Sequence, residues 1–155
     1  MKRNIFIGLI LTVFSAFVIQ SCEENGCSKG YDSNAEGDES KKMVGDCMNC
    51  HSPNGGAGGC FRVGGTAFDS ISGSGATQGA VVKLYTQPNG AGDLIITLTV
   101  DRSGNFFTTT PVAFGNGLYP MIISGTGIKR YMPNPTTIGA CNSCHGSINP
   151  KIWAD

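Results

Sequence analysis

The sequence predicts a mainly β chain: a small antiparallel β-sandwich flanked by short helical or loop segments. Three observations carry this expectation. From Phe61 to about Gly125, β-branched and aromatic residues alternate with polar ones at period two. Turn-forming dipeptides interrupt that alternation at short intervals. Glycine occupies 23 of 155 positions, about twice the ordinary usage of roughly 7%, scattered between apolar runs without a collagen-like period.

The stretches FRVGGTAFD (61–69), GAVVKLYTQ (79–87), DLIITLTVD (93–101), GNFFTTT (104–110) and LYPMIIS (118–124) read as strands. In the third, Ile96, Leu98 and Val100 share one face, and Thr97, Thr99 and Asp101 share the other. That is the pattern of a half-buried strand. The links QPNGAG and DRSG carry turn chemistry: proline pre-sets φ, while Asn-Gly and Ser-Gly supply positive φ. A sixth strand is expected near Lys129. Upstream, MVGDCMNCH (43–51) predicts a short helix or helical turn and SPNGGAGG (52–59) a loop. Downstream, residues 126–155 return to loop composition; Pro133 and Pro135 forbid a helix there. A helical turn fits around Cys141, before Pro150.

The segment from Val63 to Gly125 resembles the transthyretin-like and carboxypeptidase-regulatory-like modules. SGATQGAVVKLY, VDRSGNFFTTTP and LYPMIISG carry the resemblance. It covers less than half the chain and implies an Ig-like or transthyretin-like sandwich.

The N-terminus sets the compartment. Lys2 and Arg3 precede an apolar stretch from Ile5 to Ile19, and Gln20, Ser21 and Cys22 follow. This is the pattern of a secretory signal over 1–21, short for a span that needs about 20 apolar residues. The residues IQSC resemble a bacterial lipobox, which implies lipidation of Cys22 and anchoring to the outer membrane. Glu23 and Glu24 resemble a surface-export signal of some Gram-negative bacteria, so the expected location is lipid-anchored, at the periplasmic face or outside the cell. Residues 22–42 are polar and are expected to form a flexible tether. The domain proper is then 43–155, with the sandwich at about 61–125 between segments 43–60 and 126–155. Eleven basic residues balance eleven acidic ones, only 14% of the chain is charged, and no Lys/Arg run occurs. Nucleic acid is therefore not an expected partner.

Seven cysteines in 155 residues require a metal, redox or disulfide reason. Four of them stand in CMNCH (47–51) and CNSCH (141–145), two copies of the Cys-x-x-Cys-His motif that attaches c-type haem. The two intervening residues space the sulfurs for the two vinyl-derived carbons of a porphyrin, and the histidine falls on one face as iron ligand. The expected cofactor is two covalently bound haem c groups, held by Cys47, Cys50 and His51 and by Cys141, Cys144 and His145. A zinc site, a thiol redox pair and plain disulfides compete with this reading. If Cys22 is acylated and both motifs are loaded, Cys27 and Cys60 remain. A disulfide between them would contribute about 3–4 kcal/mol in the chain-entropy model; the alternative leaves Cys27 free or modified.

The chain has two histidines, both inside the motifs, so bis-histidine ligation of two haems is excluded within one subunit. Methionine, an open site or a lysine amine must serve as the second axial ligand. Met48 is constrained within its own motif, and Met121 falls in a strand where ordinary packing is expected. Met132, in YMPNP, resembles the distal-ligand segment of small cytochromes c, and Met43 is close to the first motif. These two are the candidate ligands.

The whole resembles small exported di-haem c-type cytochromes in which haem motifs flank a β-sandwich, as found in extracellular electron transfer. This implies a one-electron relay between redox partner proteins, not an enzyme, with self-association into a haem-to-haem filament compatible with it. An even number of strands between the motifs would return the chain to the same pole and bring them together. One competing reading is a haem enzyme or small-gas sensor with an open coordination position, for which Arg62, Arg102 or Arg130 would have to supply acid–base chemistry. Another is a surface binding module using Trp153 as its aromatic platform.

Overall fold

The computed structural model describes Cys27, residues 30–37 and residues 45–154. The signal segment, Cys22 and Met43 lie outside the described residues. No helix among the described residues is long and apolar enough to cross a membrane.

Among the described residues, seven strands form: β1 (Val63–Phe68), β2 (Val81–Tyr85), β3 (Leu94–Thr99), β4 (Asn105–Thr108), β5 (Tyr119–Ile123), β6 (Lys129–Tyr131) and β7 (Ile152–Trp153). They assemble into a three-stranded sheet of order β4-β1-β7 and a four-stranded sheet of order β3-β2-β5-β6. The fold is mainly β, a small sandwich, and every pairing is antiparallel except that of β1 with β7. That parallel pair departs from the all-antiparallel expectation. It joins Ala67 and Phe68 to Ile152 and Trp153, and the two-residue β7 is too short to carry a period of its own.

The core lies between the sheets. Val63, Ala67, Val82, Leu84, Leu98, Val100, Phe106, Leu118 and Ile122 form one buried cluster, with Ile96, Cys141 and Ile152 packed against it. Alternation along β2 follows the sequence pattern, with Val82 and Leu84 inward. β3 places Leu98 inward and leaves Leu94 and Ile95 exposed at the sheet edge. Asp101, expected on the outer face, is 2% exposed. Its Oδ1 accepts from the backbone N–H groups of Ser103 and Asn105 at 2.9 and 2.8 Å. The carboxylate thus closes the DRSG turn, which compensates its burial.

Part of the expected tether is built into the sandwich. Ser33 N–H donates to the Phe107 carbonyl at 2.9 Å, and Thr109 N–H to the Tyr31 carbonyl at 2.9 Å. Ser33 Oγ donates to the Thr99 carbonyl at 2.7 Å and accepts from Phe107 N–H at 3.0 Å. Residues 31–33 therefore run along β4 as an added edge, which corrects the tether expectation for this segment. Polarity hid it, because backbone and hydroxyl bonds hold the segment, with Tyr31 packed at a tilt on Phe107 at 5.6 Å. Cys27 is joined to Cys60 by a disulfide, with Cα atoms 4.5 Å apart, so this segment is fastened at the entrance to β1.

Candidate functional site

Both Cys-x-x-Cys-His motifs open with a single 3-10 turn, Cys47–Asn49 and Cys141–Ser143. The first is capped by Asp46, whose Oδ1 accepts from Met48 N–H at 3.0 Å. The two turns repeat the same bonds. Cys50 and His51 N–H both donate to the Cys47 carbonyl, at 3.3 and 2.9 Å. Cys144 and His145 N–H do the same to the Cys141 carbonyl, at 3.3 and 3.0 Å. All four motif cysteines are free thiols, Cys50 and Cys144 exposed, Cys47 and Cys141 partly buried.

Each histidine is held by the loop that follows its motif. His51 Nδ1 lies 2.9 Å from the Gly58 carbonyl oxygen, and His145 Nδ1 lies 2.7 Å from that of Pro150. A carbonyl oxygen only accepts, so Nδ1 carries a proton in both rings, and the neutral form of each ring would keep its lone pair on Nε2 to bind a metal. A backbone bond to the distal nitrogen is the ordinary way a ligating imidazole is oriented. The His51 ring also stacks on Phe61, with centroids 3.8 Å apart and planes within 5°, and Phe61 stacks on Phe107 at 4.3 Å.

The motifs are adjacent in space. Six strands separate them in the chain, an even number, and both pack on β1. A Cβ on Gly64 would stand 3.3 Å from Cβ of Cys47, and one on Gly65 would stand 2.9 Å from Cβ of Cys141 and 2.5 Å from Cζ of Phe106. Contacts under 3.0 Å require something to shift, so Gly65 is needed for the close approach of the second motif. Gly139, whose added Cβ would fall 1.9 Å from the Arg62 carbonyl oxygen, fills the same role on the strand edge.

Asn142, inside CNSCH, ties the two motifs together. It is 6% exposed. Its Oδ1 accepts from Thr66 N–H at 3.0 Å, so the side-chain amide acts as one unit of a neighbouring strand along β1. Its Nδ2 donates to the Gly45 carbonyl at 3.1 Å and to Thr66 Oγ1 at 3.1 Å, and lies 3.9 Å from Cys47 Sγ.

Each motif faces its own groove, and Phe106 lines both. The first groove, about 610 Å³, is lined by Cys47, Cys50, His51, Phe61 and Phe107 together with Glu36, Asp46 and Asp101. The second, about 590 Å³, is lined by Cys141, Cys144 and His145, by Met132 and Met121, and by Tyr131 and Ile138, both exposed. Both volumes are within the roughly 300–1,000 Å³ of cofactor-sized sites. Two free thiols, an imidazole with Nε2 available and a groove with aromatic or aliphatic walls fit a flat, covalently attached macrocycle at each motif.

The structure brings Met132 to the second groove. Met121 lines it too, but its sulfur is directed at Gly90, where an added Cβ would meet Sδ at 3.4 Å. Met121 is 5% exposed and is paired within the sheet opposite Lys83 and Tyr131, in keeping with a packing role. Of the three arginines weighed for acid–base work, Arg102 pairs with Glu36 and Arg62 is exposed. Arg130 lies over the Trp153 ring, 3.2 Å from its centroid. That contact covers the tryptophan face a surface binding module would use.

Burial pushes the Cys47 thiol up to about 11, helped by the neighbouring Asp46 carboxylate. Burial pushes Cys141 up to about 12, with Cys47 as the next cause. Thiol redox motifs depend on the opposite shift, a thiolate stabilised near neutral pH. Among the described residues, no three or more His, Cys, Asp or Glu side chains gather as a cage for a bare metal ion.

Phe61, Phe106, Asn142 and the Gly64–Gly65 pair escaped the sequence reading. The two residues between motif cysteines carry no signal of their own, and a Gly-Gly inside a strand signals close approach without naming what approaches. No protein family, curated protein or solved structure matches the chain.

Proposed function

We propose that this chain is an exported di-haem c-type cytochrome that relays single electrons. The observation that carries the proposal is the pair of Cys-x-x-Cys-His turns, identical in backbone bonding, each with a histidine whose Nδ1 is bound by a backbone carbonyl. Haem would supply the one-electron chemistry. Cys47, Cys50, Cys141 and Cys144 would attach it, His51 and His145 would bind iron, and the grooves would limit water access. The raised thiol pKa values disfavour a thiol-exchange role for Cys47 and Cys141. Haem stoichiometry by pyridine haemochrome assay with intact mass tests the proposal. Two haems per chain are expected, and a mass without covalent haem overturns it.

Met132 is the proposed second ligand at the second groove, because it lines that groove with His145. The expected result is a methionine–iron charge-transfer band in near-infrared magnetic circular dichroism, lost in Met132→Ala. At the first groove no methionine stands among the described lining residues, which leaves Met43, a lysine amine or an open position. Carbon monoxide added to the reduced protein separates these: rapid binding at one haem supports the open position, and no binding supports Met43 or a lysine amine. The lipid anchor at Cys22, the envelope or surface location and a filament of stacked copies belong to the same proposal. They rest on the lipobox resemblance and on haem motifs placed at the surface of the sandwich.

A further inference from the structure

The two grooves carry opposite charge. Glu36, Asp46 and Asp101 line the first, with no lysine or arginine among its described lining residues. Lys129, Arg130 and Lys151 line the second, with no carboxylate among them. Glu36 pairs with Arg102, which softens the first field without reversing it. The cations of the second groove are held by rings and carbonyls: Arg130 rests on Trp153, and Lys151 Nζ donates to the Gly73 carbonyl at 2.9 Å and lies over the Phe68 ring.

Resting on the di-haem reading, we infer that this charge difference gives the relay a direction, with electrons passing from the Cys47–His51 site to the Cys141–His145 site. Ferric haem carries one more positive charge than ferrous haem. Carboxylates around it stabilise the oxidised form and lower its potential, whereas lysine and arginine favour the reduced form and raise it. Met132 acts in the same sense at the second groove, because thioether ligation raises the potential. Charge and ligand thus agree. The transfer moves one electron and no proton: one ferrous iron is oxidised as the other ferric iron is reduced, and no bond breaks. Contact between the sites through β1 and Asn142 keeps the step within one molecule.

Spectroelectrochemical titration of the haem-loaded full chain tests this. Cys47→Ala/Cys50→Ala and Cys141→Ala/Cys144→Ala variants assign each wave to its motif. Two one-electron waves are expected, the higher at the second motif, with the singly reduced protein holding its electron there by about tenfold or more. Lys129→Gln, at an exposed strand position, lowers the upper wave and leaves the lower in place. Asp46→Asn, which retains a competent N-cap, raises the lower wave alone. Coincident waves, a higher wave at the first motif, or waves unmoved by both charge variants overturn the inference. A chain without covalent haem overturns the di-haem reading beneath it, so the two failures are distinguishable.

Discussion

On the di-haem proposal, replacing Cys141 and Cys144 by alanine is expected to halve the haem content, leaving one haem per chain at the first motif. The fold survives this change, because Cys141 is a small residue at the margin of the core and its truncation costs about 1 kcal/mol. The pyridine haemochrome absorbance per protein falls to half, and the intact mass drops by one haem beyond the two lost sulfurs. Thiol labelling of the denatured parent supplies a second readout. The four motif cysteines are unreactive in the parent if they carry thioethers, and all four react if they do not. Unchanged haem content in the double variant would remove the second motif from the site.

Asn142→Ala is expected to cause a large loss of stability for a single polar substitution. Thr66 is 1% exposed, and without Asn142 its N–H loses the acceptor that completes the edge of β1. A buried donor left unsatisfied costs about 1–3 kcal/mol. Gly45 loses a donor as well, but it is exposed and water replaces the bond. The total is about 2–3 kcal/mol, read as an earlier urea midpoint with unchanged slope in the oxidised protein. Asn142→Asp separates the two halves of the amide. It keeps an acceptor for Thr66 N–H and places a carboxylate against the Gly45 carbonyl, so it recovers part of the loss and no more. Equal stability of all three proteins would show that the bridge contributes nothing.

The sandwich was legible because β2 and β3 alternate cleanly and the turns after them carry their own chemistry. β7 was not, because two residues paired in parallel with β1 depend on where the chain returns and not on any local period. The docking of residues 31–33 was hidden for a related reason: Ser33 makes backbone-directed bonds that leave no apolar trace. At the site, the motif residues were readable from spacing alone. The even strand count anticipated their adjacency, but not their close packing, which depends on two glycines whose significance emerges only when Cys47 and Cys141 pack against them. Met132 was a candidate from the sequence, but its groove is fixed by the path of β6 into the following loop. The charge contrast was equally silent, because Lys129, Arg130 and Lys151 are spread over 23 positions of a chain with balanced totals. Folding collects them on one side.

The parallel pairing of β1 with β7 bears on how such a protein must be made. β1 begins at residue 63, and its partner is Ile152–Trp153, which is synthesised after both motifs. The three-stranded sheet cannot be complete until β7 has been made, and by then both motifs have emerged. In the closed sandwich Cys141 packs against the core. On the di-haem proposal, attachment to Cys141 therefore has a window bounded by the arrival of β7.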